Sequence, residues 1–271
     1  MSETLDPELV DAYLARIGAA HPVRPDAAAL RDLQERHVLS VPFENLHYYA
    51  GKPIRLDHTI VHKIVYERRG GGCYEVNPSF AHLLRALGFD VELLPARVWI
   101  DGVLGVPLGH VVLRVRTAEG DWLVDVGFGR NSRHPLSLDT RADQRDPHGV
   151  YRLAPLPDGG HELFMNTHAQ YRVEPRPIAV EDLRATLWWY RTSAESPFLQ
   201  SQLCSLPTED GRVTLIGRTL LRQVGADRFS ERLDDDSQVI ETYREHFGIE
   251  LDEIPPDLDV DAAGAVRLGA S

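Results

Sequence analysis

The hydrophobic pattern changes its period near residue 89, and that change points to folds in which the first helices are segregated from the strands that follow. Before it, apolar residues recur at helical spacing. Asp6-Pro7 reads as the N-cap and first residue of a helix through ELVDAYLARIGA, with Gly18 near its end. Pro25-Asp26 opens a second helix, AAALRDLQERHVL, which Pro42 must end. Asp57 caps a third, HTIVHKIVYERR, and CYEVNPSFAHLLRALG forms a fourth that stops at Gly88. After the change, VELLPARVWI, HVVLRVR and DWLVDVG read as strands, the last two joined by a hairpin with Glu119-Gly120 at its tip. GVYRLA, HELFMN and AQYRVE continue the series, with Pro157-Asp158-Gly159-Gly160 as a turn, so antiparallel sheet tending to a barrel is expected for about 90–176. A helix follows at LRATLWWYRTSA, then a hairpin around Gly217 in RVTLIGRTLLRQV, then an amphipathic helix SQVIETYREHFG ending at Gly248. The Asp-, Ala- and Gly-rich tail from Pro255 is expected to be loosely held.

Composition removes several classes of function. With 43% hydrophobic residues there is ample material for a core, and no apolar run approaches the length of a membrane span. The acidic, amphipathic start MSETLDPELVDAYLARIG lacks the basic and apolar regions of a secretory signal, so the expected location is cytoplasmic. Lys and Arg total 29 and Asp and Glu 41, and a net charge of −12 disfavours nonspecific nucleic-acid binding. Two cysteines are too few for a disulfide framework and lack zinc-site spacing, so no metal is expected.

One local feature stands out for chemistry: RRGGGCYEVN at 68–77. Glycines allow a tight backbone turn, and a cysteine at or near a helix N-terminus feels the positive end of the dipole, which favours the nucleophilic thiolate. Proline is costly inside a helix, so Pro78 points to a helix starting at Asn77, with Cys73 on the turn before it. By itself the segment also fits a purely structural turn. Cys204, in LQSQLCSLP, has no glycine turn or basic neighbour and reads as a small buried hydrophobe.

A thiol nucleophile needs a base, and the base an orienting carboxylate. Among 12 histidines, His110 stands at the start of an alternating strand, and Asp125 lies in the apolar strand DWLVDVGFG, where a carboxylate is costly without a partner. Symmetry about the Glu119-Gly120 tip sets His110 opposite roughly residue 129 and Asp125 opposite roughly residue 114, so strand pairing alone does not join them. A satisfied strand histidine and a strand-end turn former remain open readings of the two residues.

Taken in order, these segments resemble the arylamine N-acetyltransferases. The family's R-G-G-x-C-x-E-x-N is matched by Arg69, Gly70, Gly71, Cys73, Glu75 and Asn77, and its P-F-E-N-L by Pro42 to Leu46. The strand-start histidine is matched by His110, the D-V-G-F-G strand end by Asp125 to Gly129, D-G-R-x-T-L by residues 210–215 and F-G-I-x-L by 247–251. The resemblance implies an α+β fold with a cysteine-protease/transglutaminase-like core. Its parts are a helical bundle at 1–89, an antiparallel β-barrel at 90–190 and an α/β lid at 191–271. It implies a Cys73-His110-Asp125 triad and ping-pong transfer of an acetyl group from acetyl-CoA to an arylamine nitrogen through an acyl-cysteine. No cofactor is permanently bound, the coenzyme thioester is a cosubstrate, and backbone N–H groups near Cys73 supply the oxyanion donors. Phe43, Val98 and Phe128 match acceptor-pocket positions. Gly127 and Gly129 let the pantetheine approach, and Arg130, Arg133 and His134 anchor phosphate.

The sequence departs from the family pattern beside the site. Gly72 replaces a residue that is commonly a large aromatic, and Gly109 one that is often Thr, so both are expected to open the substrate pocket. The loop from Val98 to His110 looks short, and the segment GFGRNSRHPLSL spaces its proline differently. A roomier pocket would suit a sub-branch of the family, the amide synthases, which form macrolactams from carrier-protein-bound polyketide chains; an acyl carrier protein is then a possible partner. Transglutaminase-like thiol proteases share the Cys-His-Asp order, and a non-catalytic binding module is the remaining class.

Overall fold

A computed structural model describes residues 5–256. Its first third is helical: α1 (Pro7–Ile17), α2 (Ala27–Ser40), the two-residue strand β1 (Phe43–Glu44), and the short helices α3 (Leu46–Tyr49) and α4 (Val61–Val65), followed by α5 (Cys73–Ala86). The capping signals act as expected. Asp6 accepts from the Leu9 amide and Asp26 from the Ala29 amide, while Gly18 closes α1 in the left-handed region at φ 67°. The third helix is shorter than its pattern. Asp57 caps a single 3₁₀ turn that leads into α4, and the helix is finished before Arg68, whose φ is 51°.

The larger correction concerns α5. It begins at Cys73, and Pro78 lies within its second turn. The missing N–H costs one bond near the helix start, and burial on both sides offsets it. Phe80, Leu83 and Leu84 are fully buried, each worth roughly 1.5–3 kcal/mol on removal from water. The helix is thereby fixed against the barrel, with the nucleophile candidate at its N-terminus.

The barrel strands are β2 (Asp90–Ile100), β3 (Val103–Leu104), β4 (His110–Thr117), β5 (Gly120–Val124), β6 (Leu136–Ser137), β7 (Gln144–Asp146), β8 (Gly149–Pro155), β9 (His161–Met165) and β10 (His168–Val173). They form an antiparallel sheet in the order β6-β5-β4-β2-β10-β9-β8-β7, with β3 paired to β2. A side chain bridges its two edges. Gln144 on β7 accepts from the Ser137 amide at 2.8 Å and donates to the Ser137 carbonyl at 2.9 Å, so its amide stands in for a peptide unit of the ladder. β4 is apolar on both faces because both are covered. Val111, Leu113 and Val115 join the core shared with the helices, and Val112 joins the barrel interior with Leu94, Tyr151, Leu163 and Tyr171.

The β4–β5 hairpin turns two residues away from the register expected from its sequence. Thr117 pairs with Gly120 and Leu113 with Val124, so the turn is Ala118-Glu119. One further step would set Asp125 across from Val112, two residues from His110 and on the same face of β4. The chain leaves the ladder there, which frees the Asp125 carboxylate to reach diagonally.

Beyond the barrel, a 3₁₀ turn leads into α6 (Arg184–Thr192). The strands β11 (Leu203–Pro207), β12 (Gly211–Ile216), β13 (Thr219–Val224) and β14 (Asp227–Arg232) then form a second antiparallel sheet, to which β1 adds at the β11 edge. The helix α7 (Asp236–Phe247), stopped by Gly248 at φ 63°, covers one face of it through Val239, Tyr243 and Phe247. No helix among the described residues is long and apolar enough to cross a membrane. All but the first two residues of the tail from Pro255 lie outside the described residues.

Candidate active site

The turn into α5 is built on contacts that only glycine allows. A Cβ on Gly70 would overlap the Pro42 carbonyl at 1.7 Å, and one on Gly71 would meet the Glu75 side chain at 2.6 Å. Glu75, three residues into the helix, accepts the Gly72 amide at 3.0 Å and the Lys63 ammonium at 2.6 Å. Lys63 also faces Glu44 at 3.2 Å, and Arg69 donates to Glu44 at 2.8 Å. All four charges are buried, two of each sign. Burial would push the Glu44 carboxyl up, but Lys63 and Arg69 outweigh it and hold Glu44 below its ordinary range. Cys73, the first residue of α5, thus has the helix dipole at its sulfur and a rigid turn behind it, a placement favourable to negative charge. It is 4% exposed.

Across from α5, His110 Nε2 lies 2.8 Å from Asp125 Oδ2. A carboxylate accepts, so this nitrogen donates and Nδ1 is left for the sulfur. Burial disfavours the charged ring, but the Asp125 carboxylate, the Cys73 sulfur and hydrogen bonds to both overcome it and push His110 up to about 10. Asp125 is equally well satisfied. Its Oδ1 accepts from Asn77 Nδ2 at 2.9 Å and from the Gly127 amide at 2.9 Å, and the Tyr171 hydroxyl also bonds it. Burial would raise this carboxyl, yet the His110 charge and these donors hold it below its ordinary range. Cys73, His110 and Asp125 therefore meet in one place, from the helix start, the first residue of β4 and the residue after β5.

Two residues outside the sequence-derived set complete this arrangement. Asn77, one helical turn beyond Cys73, also donates to the Val111 carbonyl at 2.7 Å and accepts the Val126 amide at 2.9 Å, tying α5 to both strands. It stood in the quoted motif, and its position four residues after the cysteine was a usable signal. Tyr171, on β10, packs its ring 5.0 Å from His110 and 5.1 Å from Phe128. Alternation in AQYRVE places it inside the barrel, but nothing local in the sequence sets it beside the histidine.

The other expected residues divide. Phe43, Val98 and Phe128 are half-buried, Phe128 beside the His110 ring at 5.2 Å and Phe43 6.1 Å from Phe198. Gly72 does not open a void. A Cβ there would touch the Phe198 ring at 3.7 Å and the Tyr48 hydroxyl at 3.8 Å, and those two rings stack at 5.0 Å. Gly109 is a packing residue: a Cβ would lie 2.8 Å from the Val106 carbonyl, and Tyr190 donates to the Gly109 carbonyl at 2.6 Å. Gly127 is pressed against the nucleophile, its missing Cβ 2.7 Å from Cys73 Cα, whereas Gly129 has nothing within 4 Å. Gly129 and the exposed Arg130 border a cleft of about 1030 Å3 between the barrel and β12–β14.

Arg133 and His134, expected to anchor phosphate, are each paired with carboxylates in this structure. Arg133 donates to Glu35 at 2.7 Å and to Glu209, and His134 lies 3.3 Å from Glu35 and 3.1 Å from Asp146. Cys204 is buried as expected, and burial pushes its thiol well above the ordinary value. Among the described residues, no group of three or more His, Cys, Asp and Glu is arranged to hold a metal ion.

A family model described as N-acetyltransferase matches residues 26–255. The chain belongs to the arylamine N-acetyltransferase family. The arylamine N-acetyltransferase of Mycolicibacterium smegmatis is 34% identical over 256 residues, covering 89% of this chain and 92% of that protein. That of Escherichia coli is 30% identical, with 95% of each chain covered. The solved arylamine N-acetyltransferase of Mycobacterium marinum in complex with CoA superposes with a TM-score of 0.81 at 32% identity, over 89% of this chain and 92% of that one. Membership in the arylamine N-acetyltransferase family makes acyl transfer the class of chemistry.

Proposed function

We propose that this enzyme carries an acetyl group from acetyl-CoA to an arylamine nitrogen by a ping-pong route, with Cys73 as the nucleophile. The observation that carries the reading is the His110 ring, hydrogen-bonded to Asp125 on one side and held in its charged form in part by the Cys73 sulfur. The sulfur, as thiolate beside the imidazolium, attacks the thioester carbonyl. The Cys73 and Tyr74 amides, at the start of α5, have no carbonyl to bond within the helix, so they suit the oxyanion. Coenzyme A leaves as the thiol after taking the proton from His110. A neutral arylamine then attacks the acyl-cysteine, and His110 accepts its proton. Asp125 orients the ring and stabilises its charged form throughout.

Phe43, Val98 and Phe128 would line the amine pocket. Gly127 and Gly129 would pass the pantetheine, and Arg130 would meet phosphate. The expected widening at Gly72 and Gly109 is taken up by Phe198 and Tyr48 and by Val106 and Tyr190, which supports acetyl rather than a long carrier-borne chain.

Intact-mass measurement tests the reading. Wild type and Cys204→Ser treated with acetyl-CoA should each gain one acetyl group, Cys73→Ala none, and small arylamines should discharge the adduct. Acylation only from a carrier-protein thioester would move the enzyme to the amide synthases. Peptide hydrolysis without coenzyme A would move it to the thiol proteases.

A further inference from the structure

Three consecutive carbonyls just before His110 are each held by a side-chain hydroxyl. Thr186 donates to Pro107 at 3.3 Å, Tyr74 to Leu108, and Tyr190 to Gly109 at 2.6 Å. The donors come from two helices. Tyr74 follows Cys73 in α5, and Thr186 and Tyr190 stand four residues apart on α6, on one side of it. The Thr186 and Tyr74 hydroxyls also meet, and the Tyr74 and Tyr190 rings pack edge to face at 5.9 Å. Both tyrosines are buried. Burial, and after it the Cys73 sulfur, push both phenols above their ordinary value, so they remain protonated donors.

The segment they hold is a demanding one. Leu108 has φ 59°, in the left-handed region, where a bulky residue stays only if its surroundings fix it. The Gly109 amide closes a turn onto the Val106 carbonyl at 3.1 Å. A Cβ on Gly109 would lie 3.0 Å from the Tyr190 hydroxyl, so glycine is what lets that hydroxyl come so close. His110 also lacks support from the sheet. β4 pairs with β2 from its first residue, His110 opposite Ala96, but with β5 only from Leu113. The ring therefore stands at a strand end with a neighbour on one side, and the hydroxyls restrain the chain that leads into it.

We propose that Tyr190 and Tyr74 are positioning residues, which fix the His110 ring against the Cys73 sulfur by locking the carbonyls of residues 108 and 109. This rests on the acyl transfer through Cys73 and His110 proposed above. One hydroxyl comes from the residue after the nucleophile and the other from a helix beyond the barrel, so the clamp ties α5, α6 and the start of β4 together. Removing a hydroxyl leaves a buried carbonyl unpaired and lets Leu108 leave the left-handed region, which turns the strand end that carries the ring. A displacement of about 1 Å between reacting groups is enough to slow a reaction by up to about a hundredfold.

Two readouts test the clamp. In single-turnover acetylation by acetyl-CoA, followed by stopped flow, Tyr190→Phe should be about tenfold slower at saturating donor, with the half-saturating concentration within about twofold of wild type. Tyr74→Phe should behave alike. Alkylation of Cys73 by iodoacetamide, followed by peptide mass, needs no acyl donor. There Tyr190→Phe should slow the reaction severalfold when His110 is present and less than about twofold in a His110→Asn background, because the hydroxyl acts through the ring. A hydroxyl that only stabilised the fold would cost as much in either background, so equal losses overturn the proposal. Unchanged rates in both phenylalanine variants, or a change confined to the half-saturating concentration, overturn it too. If circular dichroism shows one variant unfolded, the other carries the same comparison, and unfolding of both makes the tyrosines structural and overturns the clamp. Failure of wild-type Cys73 to take an acetyl group would instead overturn the acyltransferase reading, while the alkylation comparison still decides the clamp.

Discussion

A histidine held between a carboxylate and a sulfur favours its protonated form in the folded state. His110 is pushed from 6.5 to about 10, so the stability it contributes is complete below pH 6.5 and is lost as the pH rises through about 10. The urea-unfolding free energy should fall across that window, and by less in Asp125→Asn, where the main charge raising the ring is gone. The same proton underlies activity: the rate of enzyme acetylation should lose its alkaline limb near pH 10 in wild type and at lower pH in Asp125→Asn. Asn77 acts on the chemistry only through Asp125. Asn77→Ala removes one hydrogen bond to that carboxylate and leaves the Val126 amide unpaired, so acetylation should slow roughly tenfold or more with a smaller effect on donor KM. An unchanged rate in stopped-flow acetylation would mean that Gly127 and Tyr171 suffice to hold Asp125.

At the scale of elements, the site depends on how closely backbones approach. Gly127→Ala drives a methyl toward Cys73 Cα at 2.7 Å, both on fixed backbone, and should cost about 1–3 kcal/mol or more along with activity. Gly72→Ala meets only ordinary contacts at 3.7 Å and should leave the thermal midpoint nearly unchanged. Melting curves of the two variants check both expectations. The P-F-E-N-L run of the sequence is explained at this level too. Glu44 enters the buried charge cluster, and Asn45 donates to the Phe198 and Ser201 carbonyls and accepts the Leu203 amide. Asn45→Ala should destabilise the chain by about 2–4 kcal/mol, three hydrogen bonds at about 1 kcal/mol each plus the cost of unpaired groups. The first amides to gain hydrogen exchange should be those of 198–203, the segment that carries Phe198 beside Gly72.

For the molecule as a whole, Arg133 is a clasp. It joins Glu35 on α2, through the segment after β5, to Glu209 in the β11–β12 turn. Glu35 is a depressed carboxyl despite burial, because His134 and Arg133 favour its charge, so its contribution is lost as the pH falls below its ordinary range. Arg133→Gln should cost about 1–3 kcal/mol in guanidinium unfolding, with the exposed Glu209 arm contributing least.

The element types and most of their ends were legible in the sequence, because they are set within a turn of helix or a few residues of strand. Asp6 and Asp26 cap, Gly18 and Gly248 stop, and Gly217 turns the β12–β13 hairpin as its surroundings indicate. The motif cysteine, histidine and aspartate were legible as residue types in order. Their meeting was implied by the family resemblance and not by any local pattern, since it depends on Asp125 leaving the ladder and on Asn77 bridging α5 to β4. Tertiary structure alone decided which arginine is spent and which is free. Arg133 and Arg212 are chemically identical, and one meets a carboxylate 76 residues away while the other meets none among the described residues. It also decided which glycine is a vacancy and which a contact. Charge neutralisation and steric overlap act between groups remote along the chain, so no local pattern encodes them.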